Sequence, residues 1–341
     1  MVGIKWNNSR PSHRGFPWLT FPARICSVSN EAFFDLRFFG AVPNTVFAFE
    51  RGVVNVERSS EAPSVGSTPD PEGFQPGDQL GRCQLVAPIG QGGTGVVWEA
   101  WHTTLAISVA VKVLRSTEDP EIATRMLGRF RHEAMLASRL DHPGFVRVLD
   151  YGEDHRRPYL VMELVGGGTL ETWMRNQGHV DQKTSLGVVG RICQSLSALH
   201  RLGMVHRDIK PSNILIGPSG QLKISDLGLA SFPRARGAGG TIWGTLPYLA
   251  PECFLEDHAV DQRSDLFSVG VILHRLLLGR FPPSPPAQGD IGGAGFDEGT
   301  LYLLRWLLEP DVRSRIQTAE EVARTCCRQA EWLNLQGKRS A

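Results

Sequence analysis

At 341 residues the chain can hold one large or two ordinary domains, and its 41% hydrophobic and 21% charged content are those of a soluble globular protein. A formal net charge of +1 gives no general case for binding nucleic acid or an anionic membrane, and no apolar run is long enough to span a bilayer. The six cysteines, Cys26, Cys83, Cys193, Cys253, Cys326 and Cys327, form no C-x-x-C pair, and a chain of this length does not need disulfide staples, so free thiols in a reducing cytoplasm are expected. Adjacent Cys326 and Cys327 read as packing residues on a helix, with a redox role as the alternative. The first twenty residues carry Lys5, Arg10 and Arg14 and lack the apolar centre of a signal peptide.

Residues 1–56 are rich in Phe and Trp, with Phe33, Phe34, Phe38, Phe39, Phe47 and Phe49 close together, while Pro22 and Pro43 interrupt any long helix. Residues 42–56 have some strand character, and Asp35 and Arg37 exclude a membrane span. A small docking element, a partner-binding tail and an upstream translation that does not fold all stay open for this segment. Residues 57–79 are Ser, Pro, Gly and acid with few apolar side chains, a composition that cannot bury enough surface to offset its ordering entropy. They read as a flexible linker, and the folded domain is expected to start at Leu80.

From there the pattern changes. Leu85 to Ile89 leads into Gly90-Gln91-Gly92-Gly93-Thr94-Gly95, and Val96, Val97, Trp98 and Ala100 continue as strand, so the stretch predicts a hairpin. Glycines at 90, 92 and 95 let a backbone approach a polyphosphate with its N–H groups inward. G-x-G-x-x-G is weak evidence alone, but a dinucleotide site needs a helix at the third glycine, and the G-K-[ST] ending of a Walker loop is absent. Val109 to Leu114 is a β-branched strand with one lysine, Lys112, at its centre; an edge lysine set against aggregation is the plain alternative. Residues 121–140 predict a helix with Ile122, Met126, Leu127, Phe130 and Leu136 near one face, and Glu133 is either an exposed acid there or a partner for that lysine. His142-Pro143 ends it and a strand opens at 146–149. Tyr159 to Val165 is a further strand, followed by Gly166-Gly167-Gly168.

An amphipathic helix over 186–202 leads into Val205-His206-Arg207-Asp208-Ile209-Lys210-Pro211-Ser212-Asn213-Ile214-Leu215, whose apolar ends predict strand, loop, strand. Phosphoryl transfer needs positioning and charge neutralisation more than covalent chemistry. Asp208 can take up or orient a hydroxyl proton, Lys210 can neutralise a moving phosphoryl group, and Asn213 offers a hard oxygen to magnesium. A polar surface loop between two buried strands is the bland alternative. Leu222 to Gly228 carries Asp226, Ala250-Pro251-Glu252 follows, and Ser264 to Gly270 opens a long apolar stretch. Two more helices are predicted over 301–308 and 318–332.

Taken in order, these motifs resemble those of the protein kinase family: glycine-rich loop, strand lysine, helix glutamate, H-R-D-x-K-P-x-N loop, magnesium aspartate and A-P-E. The likeness runs from about Leu80 to about Leu333 and is nearest to bacterial eukaryotic-like serine/threonine kinases, by Leu-Asp-His-Pro, His-Arg-Asp-Ile-Lys-Pro-Ser-Asn and Tyr-Leu-Ala-Pro-Glu. It implies an α+β, two-lobed fold, with a small mainly β N-lobe over about 80–164 and a larger helical C-lobe over about 165–335. It implies a serine/threonine protein kinase that binds ATP with Mg2+ or Mn2+, acts on protein substrates, and autophosphorylates by self-association. By the same resemblance Lys112, paired with Glu133, holds the α- and β-phosphates, and Asp208 and Lys210 are catalytic. Gly90, Gly92, Gly93 and Gly95 cover the phosphates, Asn213 and Asp226 hold the metal, and Leu227 replaces the usual phenylalanine with another apolar side chain. Met162 lines the back of the adenine pocket, the backbone of Glu163 to Val165 holds the adenine edge, and Val97, Ala110 and Leu215 sandwich the ring; otherwise these are ordinary core residues.

The resemblance also implies that Asp265 anchors the catalytic-loop backbone, that Thr245 contacts Asp208 and Lys210, and that Glu252 pairs with an arginine, for which Arg313 and Arg315 both fit. Arg207 is expected to bind a phosphate on the activation segment, with Thr241 the first choice of acceptor ahead of Ser231, Thr245 and Tyr248. Residues 281–300 depart from the family, being mostly Gly, Pro, Ser and Ala where a helix is expected. Ser212, where some basic-directed kinases carry glutamate, speaks weakly against arginine-rich substrates. Two other classes stay in view. A pseudokinase-type binding module would lack Lys112, Asp208, Asn213 or Asp226, and all four are present. A small-molecule phosphotransferase of related fold would generally lack the Ala-Pro-Glu segment.

Overall fold

A computed structural model of the chain describes residues 73–92, 95–154, 157–178, 180–227, 245–255, 260–283 and 295–339. The N-terminal lobe is one antiparallel sheet. Its strands are β1 (Gln79–Leu80), β2 (Cys83–Gly92), β3 (Gly95–His102), β4 (Ile107–Leu114), β5 (Val148–Asp154) and β6 (Arg157–Glu163), in the order β1-β2-β3-β4-β6-β5. The expected hairpin is β2–β3, paired from Cys83↔His102 to Gly92↔Gly95, with irregularities around Leu85/Ala87 and Pro88/Gly90 that twist it as it nears the glycine turn. The strand carrying Lys112 is the fourth in chain order, because the two-residue β1 precedes the hairpin. Gly95 is required by packing: a Cβ there would lie 1.9 Å from the Val113 carbonyl oxygen of β4.

One face of the sheet buries Leu80, Leu85, Trp98, Val109, Val111 and Val161, each contributing roughly 1.5–3 kcal/mol by leaving water. This core begins ahead of Leu80. Phe74 packs against it, with the Arg157 guanidinium 5.0 Å from its ring centroid, and Gly77 N–H donates to the Leu85 carbonyl at 2.8 Å. The other face carries α1 (Pro120–Arg139), started by Asp119, whose side chain accepts from the N–H groups of Glu121 and Ile122, and by Pro120 in the first turn. Phe130, Glu133 and Leu136 are its buried residues; Ile122, expected on that face, is exposed because it lies in the first turn, short of the sheet.

The C-terminal lobe is built from α2 (Leu170–Gln177), α3 (Gln182–Arg201), the short pair β7 (Ile214–Ile216) and β8 (Leu222–Ile224), α4 (Gln262–Leu278), α5 (Glu298–Leu307) and α6 (Ala319–Arg339). α4 is apolar nearly all round and runs through the core, with α3 and α5 against it. Gly270 lets α5 close on it, since a Cβ there would come within 2.8 Å of Leu307 Cβ. α3 and α6 bury Cys193 and Cys326, and burial pushes both thiols up, as expected of packing cysteines. Cys327 is half-buried with its thiol 3.7 Å from Glu331 Oε1.

The whole is α+β, a mainly β lobe with one helix followed by a helical lobe. Among the described residues no helix is long and apolar enough to cross a membrane. Two further local expectations change. Val205 makes an isolated bridge rather than a strand, because the N–H groups that follow it are taken by a side chain. α5 opens at Glu298, capped by Asp297, ahead of the expected Leu301; residues 284–294 of the irregular segment lie outside the described residues. Gly93, Thr241 and Ser231, together with residues 1–72, also lie outside them.

Candidate active site

β4 and α1 bring Lys112 and Glu133 together. Lys112 Nζ lies 2.9 Å from both Glu133 oxygens and 3.2 Å from Asp226 Oδ1. Lys112 and Glu133 are buried, and Asp226 is about a third exposed. Burial alone would pull the Lys112 ammonium down, but the two carboxylates outweigh it and its pKa is raised. Burial also pushes Glu133 up, and the nearby Asp226 carboxylate adds to that push against the pull of Lys112. One ammonium therefore lies within hydrogen-bond reach of two carboxylates.

The loop between α3 and β7 is held from below. Asp265, fully buried at the start of α4, accepts from His206 N–H at 2.9 Å and Arg207 N–H at 2.8 Å, and its Oδ2 lies 2.8 Å from His200 Nε2. This double hold lets Arg207 take a left-handed backbone, φ 68°, which a non-glycine residue adopts at a cost. The His206 ring is buried beneath the loop, where Nδ1 accepts from Asp208 N–H at 3.3 Å and Nε2 donates to the Ser225 carbonyl, also at 3.3 Å. Asp226, next in the chain, has φ 65°.

Above this support sits Asp208. Its Oδ2 accepts from Lys210 Nζ at 2.7 Å and Asn213 Nδ2 at 3.0 Å, and its Oδ1 from the Thr245 hydroxyl at 2.9 Å. Lys210 Nζ also donates to Thr245 Oγ1 at 2.8 Å. Asn213 Nδ2 donates a second time to the Asp208 carbonyl at 2.9 Å, which commits its nitrogen and leaves its oxygen for a cation. Ser225 ties the two halves together, with its N–H and hydroxyl both on the Asn213 carbonyl, at 2.8 and 3.1 Å. The short turn Pro211–Asn213 sets that geometry.

Of the residues expected near a nucleotide, Ala110 on β4 lies opposite Met162 on β6, and Val97 on β3 lies opposite Lys112. Leu215 pairs with Lys223 and bridges Thr169, just past the three glycines. Val97, Met162, Glu163, Val165 and Leu215 are half-buried and Ala110 is buried. A Cβ on Gly92 would meet nothing within 4 Å, and one on Gly90 only Val97 Cβ at 3.8 Å, while Arg115 Nη2 donates to the Gly92 carbonyl at 3.0 Å. The hard oxygens of Asn213 and Asp226 are a donor set suited to a magnesium-like cation.

Glu252 pairs with Arg315 and not with Arg313. The sequence reading missed His200 and His206 as supports of the loop. A histidine closing the helix that leads into the loop was the available signal for His200. His206 was hidden inside the motif it holds up. It also missed that Glu163 uses its side chain: Oε1 accepts from Lys223 Nζ at 2.7 Å and from Arg147 N–H at 2.8 Å.

Comparison with known proteins gives the same outline. Residues 83–329 match the family model described as protein kinase domain. Serine/threonine-protein kinase PknA of Mycobacterium tuberculosis is 41% identical over 211 residues, covering 59% of this chain and 48% of the relative. Serine/threonine-protein kinase PknL of the same species is 40% identical over 203 residues, covering 59% and 50%. The probable serine/threonine-protein kinase SCO3848 of Streptomyces coelicolor is 40% identical over 223 residues, covering 62% and 31%. The chain spans about half the length of the curated relatives PknA and PknL that it matches.

Proposed function

The chain belongs to the protein kinase family, and we propose that it transfers the γ-phosphoryl group of ATP to serine or threonine hydroxyls of protein substrates. The observation that carries this reading is the contact of Thr245 with both Asp208 and Lys210. It places a carboxylate that can orient and accept a hydroxyl proton beside an ammonium that can neutralise the moving phosphoryl group. The segment leading to Ala-Pro-Glu is thereby tied to the reacting groups.

In this reading the glycine hairpin covers the phosphates with backbone N–H groups, and Lys112, steadied by Glu133, positions them. Asn213 and Asp226 would hold a divalent cation, Mg2+ or Mn2+, which neutralises charge between the phosphates. The backbone of Glu163 to Val165 takes the adenine edge, with Val97, Ala110, Met162 and Leu215 around the ring. Arg207 receives a phosphate at Thr241, added by a second copy of the chain, and the free-thiol cysteine usage suits a reducing cytoplasm.

The test is incubation of the purified chain with labelled ATP, Mg2+ and a generic protein acceptor. Label in protein, lost in Asp208→Asn, is expected. Nucleotide binding with no transfer to any acceptor would make the chain a binding module instead, and label appearing only in a small-molecule acceptor would move it to another phosphotransferase class.

A further inference from the structure

Lys223 is the polar residue between Leu222 and Ile224 of β8, and alternation turns it away from the C-lobe core. Its ammonium is spent on Glu163, the last residue of β6, at 2.7 Å, with both side chains more than two thirds buried. The same Glu163 oxygen takes Arg147 N–H at 2.8 Å, and Glu163 N–H donates to the Arg147 carbonyl at 3.0 Å. The segment ahead of Arg147 is itself sewn to β8. Val146 N–H donates to the Ile224 carbonyl at 2.9 Å, and Ile224 N–H to the Gly144 carbonyl at 2.8 Å.

What this pair connects matters more than its strength. On one side, Glu163 opens the segment that crosses between the lobes. On the other, Lys223 lies opposite Leu215 in the β7–β8 ladder and three residues before Asp226. Ser225, between them, holds Asn213 through two hydrogen bonds. One ion pair therefore fixes the crossing segment against the β7–β8 ladder, with proposed metal ligand Asn213 just before β7, Asp226 just after β8, and Leu215 of the proposed adenine site on β7 opposite Lys223. A partly buried, charge-assisted contact with a second donor on the same oxygen resists shear in a way an exposed pair does not.

We propose that Glu163 and Lys223 are positioning residues for the nucleotide: their ion pair sets the separation between the crossing segment and the Asn213–Asp226 pair, and so the fit of the base and phosphates at once. This rests on the kinase reading above. Breaking the pair leaves every reacting group in place but lets the two halves of the nucleotide site drift apart. Affinity for the nucleotide falls, while turnover at saturation changes little.

The experiment measures KM for MgATP, kcat at saturating MgATP, direct MgATP binding by calorimetry, and thermal midpoint, for the full chain and for Lys223→Met, Lys223→Arg, Glu163→Gln and the Lys223→Met/Glu163→Gln double variant. Lys223→Met and Glu163→Gln are expected to raise KM and the dissociation constant together by roughly fivefold, with kcat within about twofold, a size typical of coupled neighbours. The double variant is expected to match the worse single one, and Lys223→Arg to restore most of the affinity. Unchanged KM in Lys223→Met, additive losses in the double variant, or a fall in kcat with KM constant would each overturn the proposal. A wild-type chain that neither binds MgATP nor transfers phosphate would overturn the kinase reading instead.

Discussion

Arg315 and Glu252 face each other in the C-lobe core through two parallel hydrogen bonds, Nη1 to Oε1 at 2.6 Å and Nη2 to Oε2 at 2.8 Å, with the Arg315 side chain fully buried. Its remaining donors reach the carbonyls of Glu309, Arg263 and Pro310, so the whole guanidinium fork is used. Its guanidinium carbon, Cζ, lies 5.0 Å from the Phe267 ring centroid. The pair clamps the Ala-Pro-Glu turn to the segment before α6. Arg315→Met should cost about 3–5 kcal/mol, because it leaves the Glu252 carboxylate buried and alone. Arg315→Lys should recover little of that, since an ammonium cannot serve the same set of acceptors. Urea unfolding of both variants checks this, and a loss below about 1 kcal/mol in Arg315→Met would count against the pair as a structural clamp.

Asp208→Asn should reduce phosphotransfer at least about a hundredfold with the thermal midpoint and MgATP affinity close to wild type, because Asn keeps the shape but not the base. Thr245→Val should lower kcat roughly tenfold or more, since it removes the hydroxyl that steadies both Asp208 and Lys210. Thr245→Ser should keep most activity. Steady-state kinetics on the three variants decides it. A fully active Thr245→Val enzyme would show that the contact is incidental to the reaction.

Much of this site was legible because the reacting groups lie in short local motifs. Lys112, Asp208, Asn213 and Asp226 each stand out against apolar flanks, and Glu133 is an acid on the buried face between Phe130 and Leu136. What stayed hidden was decided at long range. Arg313 and Arg315 are indistinguishable by spacing. The structure separates them because Asp311 accepts from Arg313 N–H and the Ser314 hydroxyl, making a turn that leaves Arg313 exposed and swings Arg315 inward. Val205 looked like a strand residue because its neighbours are apolar, but ladder pairing is displaced by the Asp265 side chain far along the chain. Lys223 gave no local sign that its partner lay on another lobe.

The start of the folded unit can be tested by truncation. Composition put the boundary at Leu80, yet Phe74 packs on the sheet, Gly77 N–H pairs with Leu85, and Asp78 accepts both Gln75 N–H through its side chain and Leu85 N–H through its carbonyl. A chain beginning at Gly73 should fold with the same thermal midpoint as the full chain. One beginning at Leu80 loses these bonds and the Phe74 contact, and should melt several degrees lower. Equal midpoints for the two truncations would show that the Phe74 contact contributes nothing.

Acid sensitivity should be concentrated at Asp265. Burial alone would raise its carboxyl pKa. The hydrogen bond from His200, the charges of His200 and His206 and the His206 N–H outweigh that, so the group is held below the usual carboxylate value. A carboxyl with a depressed folded-state pKa contributes stability that is fully present above its unfolded value, about 3.9, and that is lost as pH falls through the folded value. Asp265→Asn should therefore be less stable than wild type at neutral pH, and the difference should shrink below about pH 4. The asparagine keeps one acceptor and offers a donor where His206, Arg207 and His200 all need acceptors, so the catalytic loop should loosen as well. Urea midpoints of both proteins from neutral pH downward, with amide exchange of the Arg207 N–H alongside, give the two readouts. A stability difference independent of pH, or undiminished protection of Arg207 in the variant, would mean that the Asp265 charge is not what holds the loop.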